Sequence, residues 1–115
     1  MNTVSKKIIK AWHAGEPCTH GNTSTNGVSI HLHNNMIITR TCVDQIHIWA
    51  SVSGHPTKTT LERLNSVCEF IKQRQRFKIK NGQVWFGKNL VTKYQWIRID
   101  KKLDHAIRKN TNNDS

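Results

Sequence analysis

Residues 72–99 read KQRQRFKIKNGQVWFGKNLVTKYQWIRI and hold eight lysines or arginines and no acidic residue. Arg74, Arg76, Lys78 and Lys80 fall at every second position, with Phe77 and Ile79 between them. Successive strand residues point to opposite faces, so the pattern predicts a strand with one cationic face and one apolar face. Asn81-Gly82 follows. This pair suits a type I′ hairpin turn because both residues tolerate positive φ. A two-residue turn there pairs Lys80 with Gln83, Ile79 with Val84, Lys78 with Trp85 and Phe77 with Phe86. Phe77, Ile79, Val84 and Phe86 then face a core, while Arg76, Lys78, Lys80, Gln83 and Trp85 face away. Cations around an aromatic suit nucleic acid, because they combine phosphate neutralisation with base stacking.

Immediately upstream, Leu61, Leu64, Val67, Cys68 and Ile71 recur at three and four. That is the apolar stripe of an amphipathic helix, expected over Thr60–Lys72. Thr59 and Glu62 form a capping box at its start. This helix is expected to pack on the apolar faces of the hairpins. Cys68 lies in the stripe and reads as a buried, inert thiol. Residues 52–57, VSGHPT, form a turn.

Further upstream, VSIHLH and MIITRT around Asn34-Asn35 predict a second hairpin over residues 28–41. Val28, Ile30, Leu32 and Ile37 face the core, and His31, His33, Met36, Ile38 and Arg40 face away. A third strand, Gln45–Ser51, turns Ile46 and Ile48 inward and His47 and Trp49 outward. Residues 16–27, EPCTHGNTSTNG, read as a polar loop held by side-chain-to-backbone turns. The loop lacks the Gly-Lys-Ser/Thr ending of a nucleotide-binding loop. Residues 5–14 predict a short helix, with Ser5 as N-cap and Gly15 ending it.

Downstream of the basic hairpin, Thr92–Ile99 is expected to be a strand with two possible phases. Burying Ile97 and Ile99 leaves Tyr94, Trp96 and Arg98 outward, extending the cationic–aromatic face. Burying Tyr94 and Trp96 removes that extension. The first phase is preferred because Arg98 resists unpaired burial. Lys101–Lys109 is expected to form a last helix, and residues 110–115 a disordered tail. The expected fold is α+β in the order α-βββ-α-βββ-α: a small antiparallel sheet built from two hairpin units, with one amphipathic helix packed on it.

A chain of 115 residues with 36% hydrophobic residues forms one domain with a small core, expected over residues 1–109. The net charge is +11 and is uneven. Residues 1–57 carry four bases and two acids, and residues 58–115 carry fourteen bases and five acids. Such a field attracts polyanions. Three widely spaced cysteines, Cys18, Cys42 and Cys68, do not suggest a disulfide framework and favour a reducing compartment. No apolar run matches a signal peptide or a membrane span. The expectation is a soluble intracellular protein that does not engage membranes.

Several segments are similar to a type of small accessory protein from tailed bacteriophages. They are Gly21–Gly27 (GNTSTNG), Leu32–Ile37 (LHNNMI), Gly54–Thr57 (GHPT) and Thr59–Asn65 (TTLERLN), with Lys80–Phe86 (KNGQVWF) after them. That family tends to carry a GNT-S/T-T-D/N-G loop, an L-H-G-N-x-I-A hairpin, a G-W-x-T-x-T-T-x-E-R-L-N helix start and a K-K-G-x-W-Y hairpin. The chain departs from it at Asn34-Asn35 and at His55. The resemblance supplies no catalytic residues. It implies an accessory phage protein acting in the cytoplasm of the bacterial host, where such proteins often target nucleic-acid machinery or defences.

The candidate nucleic-acid-binding residues are Arg74, Arg76, Lys78, Lys80, Trp85, Lys88, Lys93, Tyr94, Trp96 and Arg98. The expected partner is DNA or RNA, or alternatively an acidic surface of a host nucleic-acid or defence enzyme. Cys18, His20, His31 and His33 could gather around zinc if the loop folds over the sheet, but their spacing matches no common zinc module. A nuclease built on His31 or His33 with Arg40 is a third reading. No paired carboxylates and no Ser-His-Asp order stand out, so no catalytic residue and no cofactor are assigned.

Overall fold

The computed structural model describes residues 1–42 and 45–100. It is an α+β fold of two helices and two antiparallel sheets. The larger sheet has six strands in the order β1 (Cys18–His20), β2 (Thr23–Thr25), β3 (Ser29–Leu32), β4 (Asn35–Cys42), β5 (Ile46–Ala50) and β9 (Ile97–Arg98). The smaller sheet has β6 (Phe77–Lys80), β7 (Gln83–Phe86) and β8 (Asn89–Val91). Helix α1 (Thr3–Ala14) packs on β1, β2 and β3. Helix α2 (Lys58–Phe70) touches α1, β4 and β6, so it joins the two sheets. The buried apolar residues of both sheets and both helices form one cluster. The helix expected over Lys101–Lys109 and the tail 110–115 lie outside the described residues.

The basic hairpin has the predicted register, with Phe77 opposite Phe86, Lys78 opposite Trp85, Ile79 opposite Val84 and Lys80 opposite Gln83. Asn81 and Gly82 both have positive φ, 55° and 74°, as a type I′ turn requires. Phe77, Val84 and Phe86 are buried. Ile79 departs from expectation and is 44% exposed. Helix α2 grips the hairpin at its Phe77 end and leaves the turn end uncovered. The grip is a side-chain clamp. Asn65 Oδ1 accepts from the Phe77 N–H at 2.7 Å, and Asn65 Nδ2 donates to the Phe77 carbonyl at 2.9 Å. Gln73, 2% exposed, donates from Nε2 to the Ile99 carbonyl at 2.7 Å, tying the entry of β6 to the end of β9.

Several boundaries differ from the sequence expectation. The polar loop at 16–27 is a hairpin, because β1 and β2 pair Cys18 with Thr25 and His20 with Thr23. Its inward residues are polar but satisfied. Buried Thr25 donates from Oγ1 to the Ser29 carbonyl at 2.7 Å, and buried Thr23 accepts from Arg63 Nε at 3.0 Å. The next hairpin turns at His33-Asn34, not Asn34-Asn35. Both residues have positive φ, and Leu32 pairs with Asn35. An irregularity after Ile30 places Ile30 opposite Ile38 and His31 opposite Met36. The extra residue turns both Ile37 and Ile38 into the core. Val28 and Ile46, both expected inside, are exposed.

Helix α1 begins earlier than expected. Asn2 is its N-cap, accepting from the Ser5 N–H, and Gly15 ends it at φ 75°. Helix α2 is capped by Thr57, whose hydroxyl accepts from the Thr60 N–H at 3.2 Å. Glu62 is therefore not a capping-box partner. Its carboxylate accepts from Ser5 and Ser66 hydroxyls at 2.8 Å and pairs with Arg63. Burial pushes the Glu62 carboxyl up, but those hydrogen bonds and the Arg63 charge outweigh it and hold it below its ordinary value.

The segment expected as one strand at Thr92–Ile99 splits. Gly87-Lys88 turns β7 into β8, with Phe86 opposite Asn89. A turn then follows, in which the Thr92 N–H donates to Gln95 Oε1 at 3.1 Å, and only Ile97–Arg98 is strand, paired with β5 of the larger sheet. Ile99 is fully buried.

Candidate nucleic-acid interface

The outward face of the smaller sheet carries the row Lys78, Trp85 and Leu90, placed side by side by the register of β6, β7 and β8. Lys80 and Gln83 form the next row toward the turn, and Arg76, Lys78, Lys80, Gln83 and Lys88 are exposed. The Arg76 guanidinium is held by the carbonyls of Gln73 and Gln75. Trp85 is half-buried, and its indole N–H is buried without an acceptor among the described residues. Leu90 is 47% exposed and was not among the residues singled out from sequence. The signal for it was the Gly87-Lys88 pair, a two-residue turn with glycine at positive φ.

Two cavities lie along this face. One of about 350 Å³ is lined by Lys78, Lys80, Asn81, Trp85, Gly87 and Lys88. The other, about 680 Å³, is lined by Arg74, Gln75, Arg76, Lys78, Gly87, Lys88 and Asn89. Lys78, Gly87 and Lys88 belong to both, so the two form one groove from Arg74 to Asn81. Among the described residues, no carboxylate lines it.

The remaining candidates fall elsewhere. Lys93 lines a cleft of about 290 Å³ with Pro56, Gln83 and Leu90, at the edge of the face. Tyr94 is 76% exposed and lies over Gly54, where an added Cβ would stand 2.6 Å from its hydroxyl. Trp96 is exposed just before β9. Arg98 is half-buried opposite Trp49 and makes two bonds to Asp100, from Nε at 2.9 Å and Nη2 at 3.0 Å. The preferred phase therefore holds at Trp96 and Ile99, but on the six-stranded sheet. The structure brings Arg74, Arg76, Lys78, Lys80, Trp85 and Lys88 together. Tyr94, Trp96 and Arg98 lie with β5, β9 and their turns.

Cys18 and His20 pair with Thr25 and Thr23, which in turn pair with buried Ile30 and Leu32, so they share the helix-side face of the large sheet. His31 pairs with Ser24 on the opposite face, and His33 sits in the β3–β4 turn. Among the described residues no three His, Cys, Asp or Glu side chains gather as a metal requires. Arg40, expected on the His31 face, lies on the helix side. Its guanidinium is 4.7 Å from the Trp12 ring centroid and donates to the carbonyls of Trp12 and Gly27. The His31–Arg40 pair of the nuclease reading is thus divided by the sheet, and its alternative, His33, sits in the β3–β4 turn. Cys68 is fully buried, which pushes its thiol up to about 12.

A separate cleft of about 360 Å³ lies between the β3–β4 turn and the start of α2. Leu32, Ile37 and Val52 form its apolar wall, and His33, Asn35, His55, Thr57, Thr59 and Thr60 the rest. Among the described residues it has no lysine, arginine or carboxylate, so it offers a phosphate backbone far less than the groove does.

No helix of the described residues is long and apolar enough to cross a membrane. The family model described as Kyanoviridae Gp96 protein matches residues 1–103. No curated protein and no solved structure matches the chain.

Proposed function

The chain belongs to the Kyanoviridae Gp96 protein family of small phage proteins, and from that premise we propose that it is an accessory nucleic-acid-binding module working in the cytoplasm of the bacterial host. The observation that supports this reading is the groove whose walls carry Arg74, Arg76, Lys78, Lys80 and Lys88 around Trp85, with no carboxylate among the described residues that line it. Arg76, Lys78, Lys80 and Lys88 repel one another along the groove in the free protein. A polyanion relieves that repulsion and releases its own counterions on binding. The opposite face of the same sheet is held by α2 through Asn65 and by the buried Phe77–Phe86 pair, whose ring centroids are 4.6 Å apart. The groove is thus mounted on a fixed support, which limits the ordering cost of binding.

The test is fluorescence anisotropy of a labelled oligonucleotide at about 50 mM salt, where phosphate contacts contribute most. Saturable binding that weakens with salt is the expected result. Absence of binding there refutes the reading. Capture from host lysate separates it from recognition of an acidic host protein: the expected partners disappear after nuclease treatment, and a protein retained after nuclease contradicts the nucleic-acid assignment.

A further inference from the structure

Resting on the nucleic-acid reading above, we infer that the groove takes a single strand rather than a duplex, with unstacked bases covering Trp85 and Leu90. The central row of the face, Lys78–Trp85–Leu90, is apolar over two of its three positions. Leu90 stands 47% exposed beside the indole. A duplex shows this row its phosphates and sugars and keeps its base faces stacked inside. A single strand can lay a base on the indole and a second against Leu90 while its phosphates pass the lysines. Apolar exposure beside a cationic groove is therefore matched by one kind of polyanion.

Spacing supports the same occupant. Lys78 and Lys80 alternate on one strand, so their backbone positions are about 6.6 Å apart. That is close to one nucleotide of an extended sugar–phosphate chain. The four residues of β6 span about 13 Å, room for two to three such nucleotides. Lys88, at the β7–β8 turn, closes the other wall of the groove at the Arg76 end.

The test compares three anionic probes on the full chain at one salt concentration: a short single strand, the same strand annealed to its complement, and polyglutamate. The single strand is expected to bind at least about tenfold tighter than the duplex, within the range one stacked base contributes. Leu90→Gln is expected to narrow that preference by weakening single-strand binding while leaving duplex binding unchanged. Leu90 is exposed in a three-residue strand, so this variant keeps the fold, as circular dichroism would verify. Equal or tighter duplex binding overturns the single-strand inference and leaves nucleic-acid binding standing. Binding to polyglutamate as tight as to either oligonucleotide, or no binding to both oligonucleotides, overturns the nucleic-acid reading itself.

Discussion

Asn65→Ala removes the clamp that seats the basic hairpin on α2. Asn65 makes both hydrogen bonds to Phe77 that a neighbouring strand would otherwise make, at 2.7 and 2.9 Å. Each bond contributes about 0.5–1.5 kcal/mol net, so losing both costs about 1–3 kcal/mol. Phe77 is 2% exposed, so water reaches the freed N–H poorly, and leaving it unpaired adds about 1–3 kcal/mol. The expected loss is roughly 2–6 kcal/mol, a large part of the stability of a domain this size. Urea unfolding followed by circular dichroism, at constant m-value, measures it. Asn65→Asp keeps the acceptor and loses the donor, and is expected to recover part of the loss. A loss under about 0.5 kcal/mol for Asn65→Ala refutes the clamp and means that packing of Phe77 and Phe86 alone seats the hairpin.

Other consequences are open to measurement. Glu62 and Asp100 are both held below their ordinary carboxylate values. Burial raises each, and is outweighed by bonds from Ser5, Ser66 and Arg63 to Glu62, and from Arg98 and the Ile48 N–H to Asp100. A depressed folded value stabilises above the unfolded value and is lost as the pH falls through the folded one. Unfolding free energy should therefore be level above about pH 5 and fall below about pH 4, with Glu62→Gln flattening that acid limb. Gly27→Ala should destabilise by at least about 2 kcal/mol in the same urea assay, through positive-φ strain and overpacking. At φ 93° its Cβ would stand 2.5 Å from the Gly15 carbonyl oxygen, which is backbone and cannot swing aside. Thiol labelling of native protein should modify exposed Cys42 first and spare Cys68 until denaturant is added; native labelling of all three cysteines contradicts the buried, inert thiol.

The hairpin register was legible because it rests on local chemistry. Asn81-Gly82 fixes the turn, and the alternation of cations with Phe77 and Val84 fixes the face. The α2 stripe was legible for the same reason, although its cap lay two residues before Thr59, because Thr57 and Thr59 offer the same hydroxyl. The β1–β2 hairpin was not legible. Its inward Thr23 and Thr25 are polar, and their burial is made tolerable by Arg63, forty residues away, and by Asn22, Gly27 and Ser29. The Gly21–Gly27 and Thr59–Asn65 segments that resemble phage accessory proteins prove to be largely architectural. Asn22 and Thr23 receive Arg63, Glu62 holds Ser5 and Ser66, Leu64 is fully buried and Asn65 clamps Phe77.

The division into two sheets depends on where the chain goes after Val91, and the turn at Thr92–Gln95 carries no periodic signal. For that reason six of the ten candidate interface residues gather in the groove while Tyr94, Trp96 and Arg98 go to the larger sheet. Leu90 was missed because a three-residue strand is too short for alternation to declare it.

The central claim is that lysines of the smaller sheet neutralise phosphates. The most direct test is the slope of log affinity against log salt for a single-stranded oligonucleotide, for wild type and for Lys78→Gln/Lys80→Gln. Four neutralised phosphates predict a slope of about −2.8, and removing two cations reduces it to about −1.4. A slope that is the same in both proteins would show that phosphates do not meet Lys78 and Lys80, and would contradict the account.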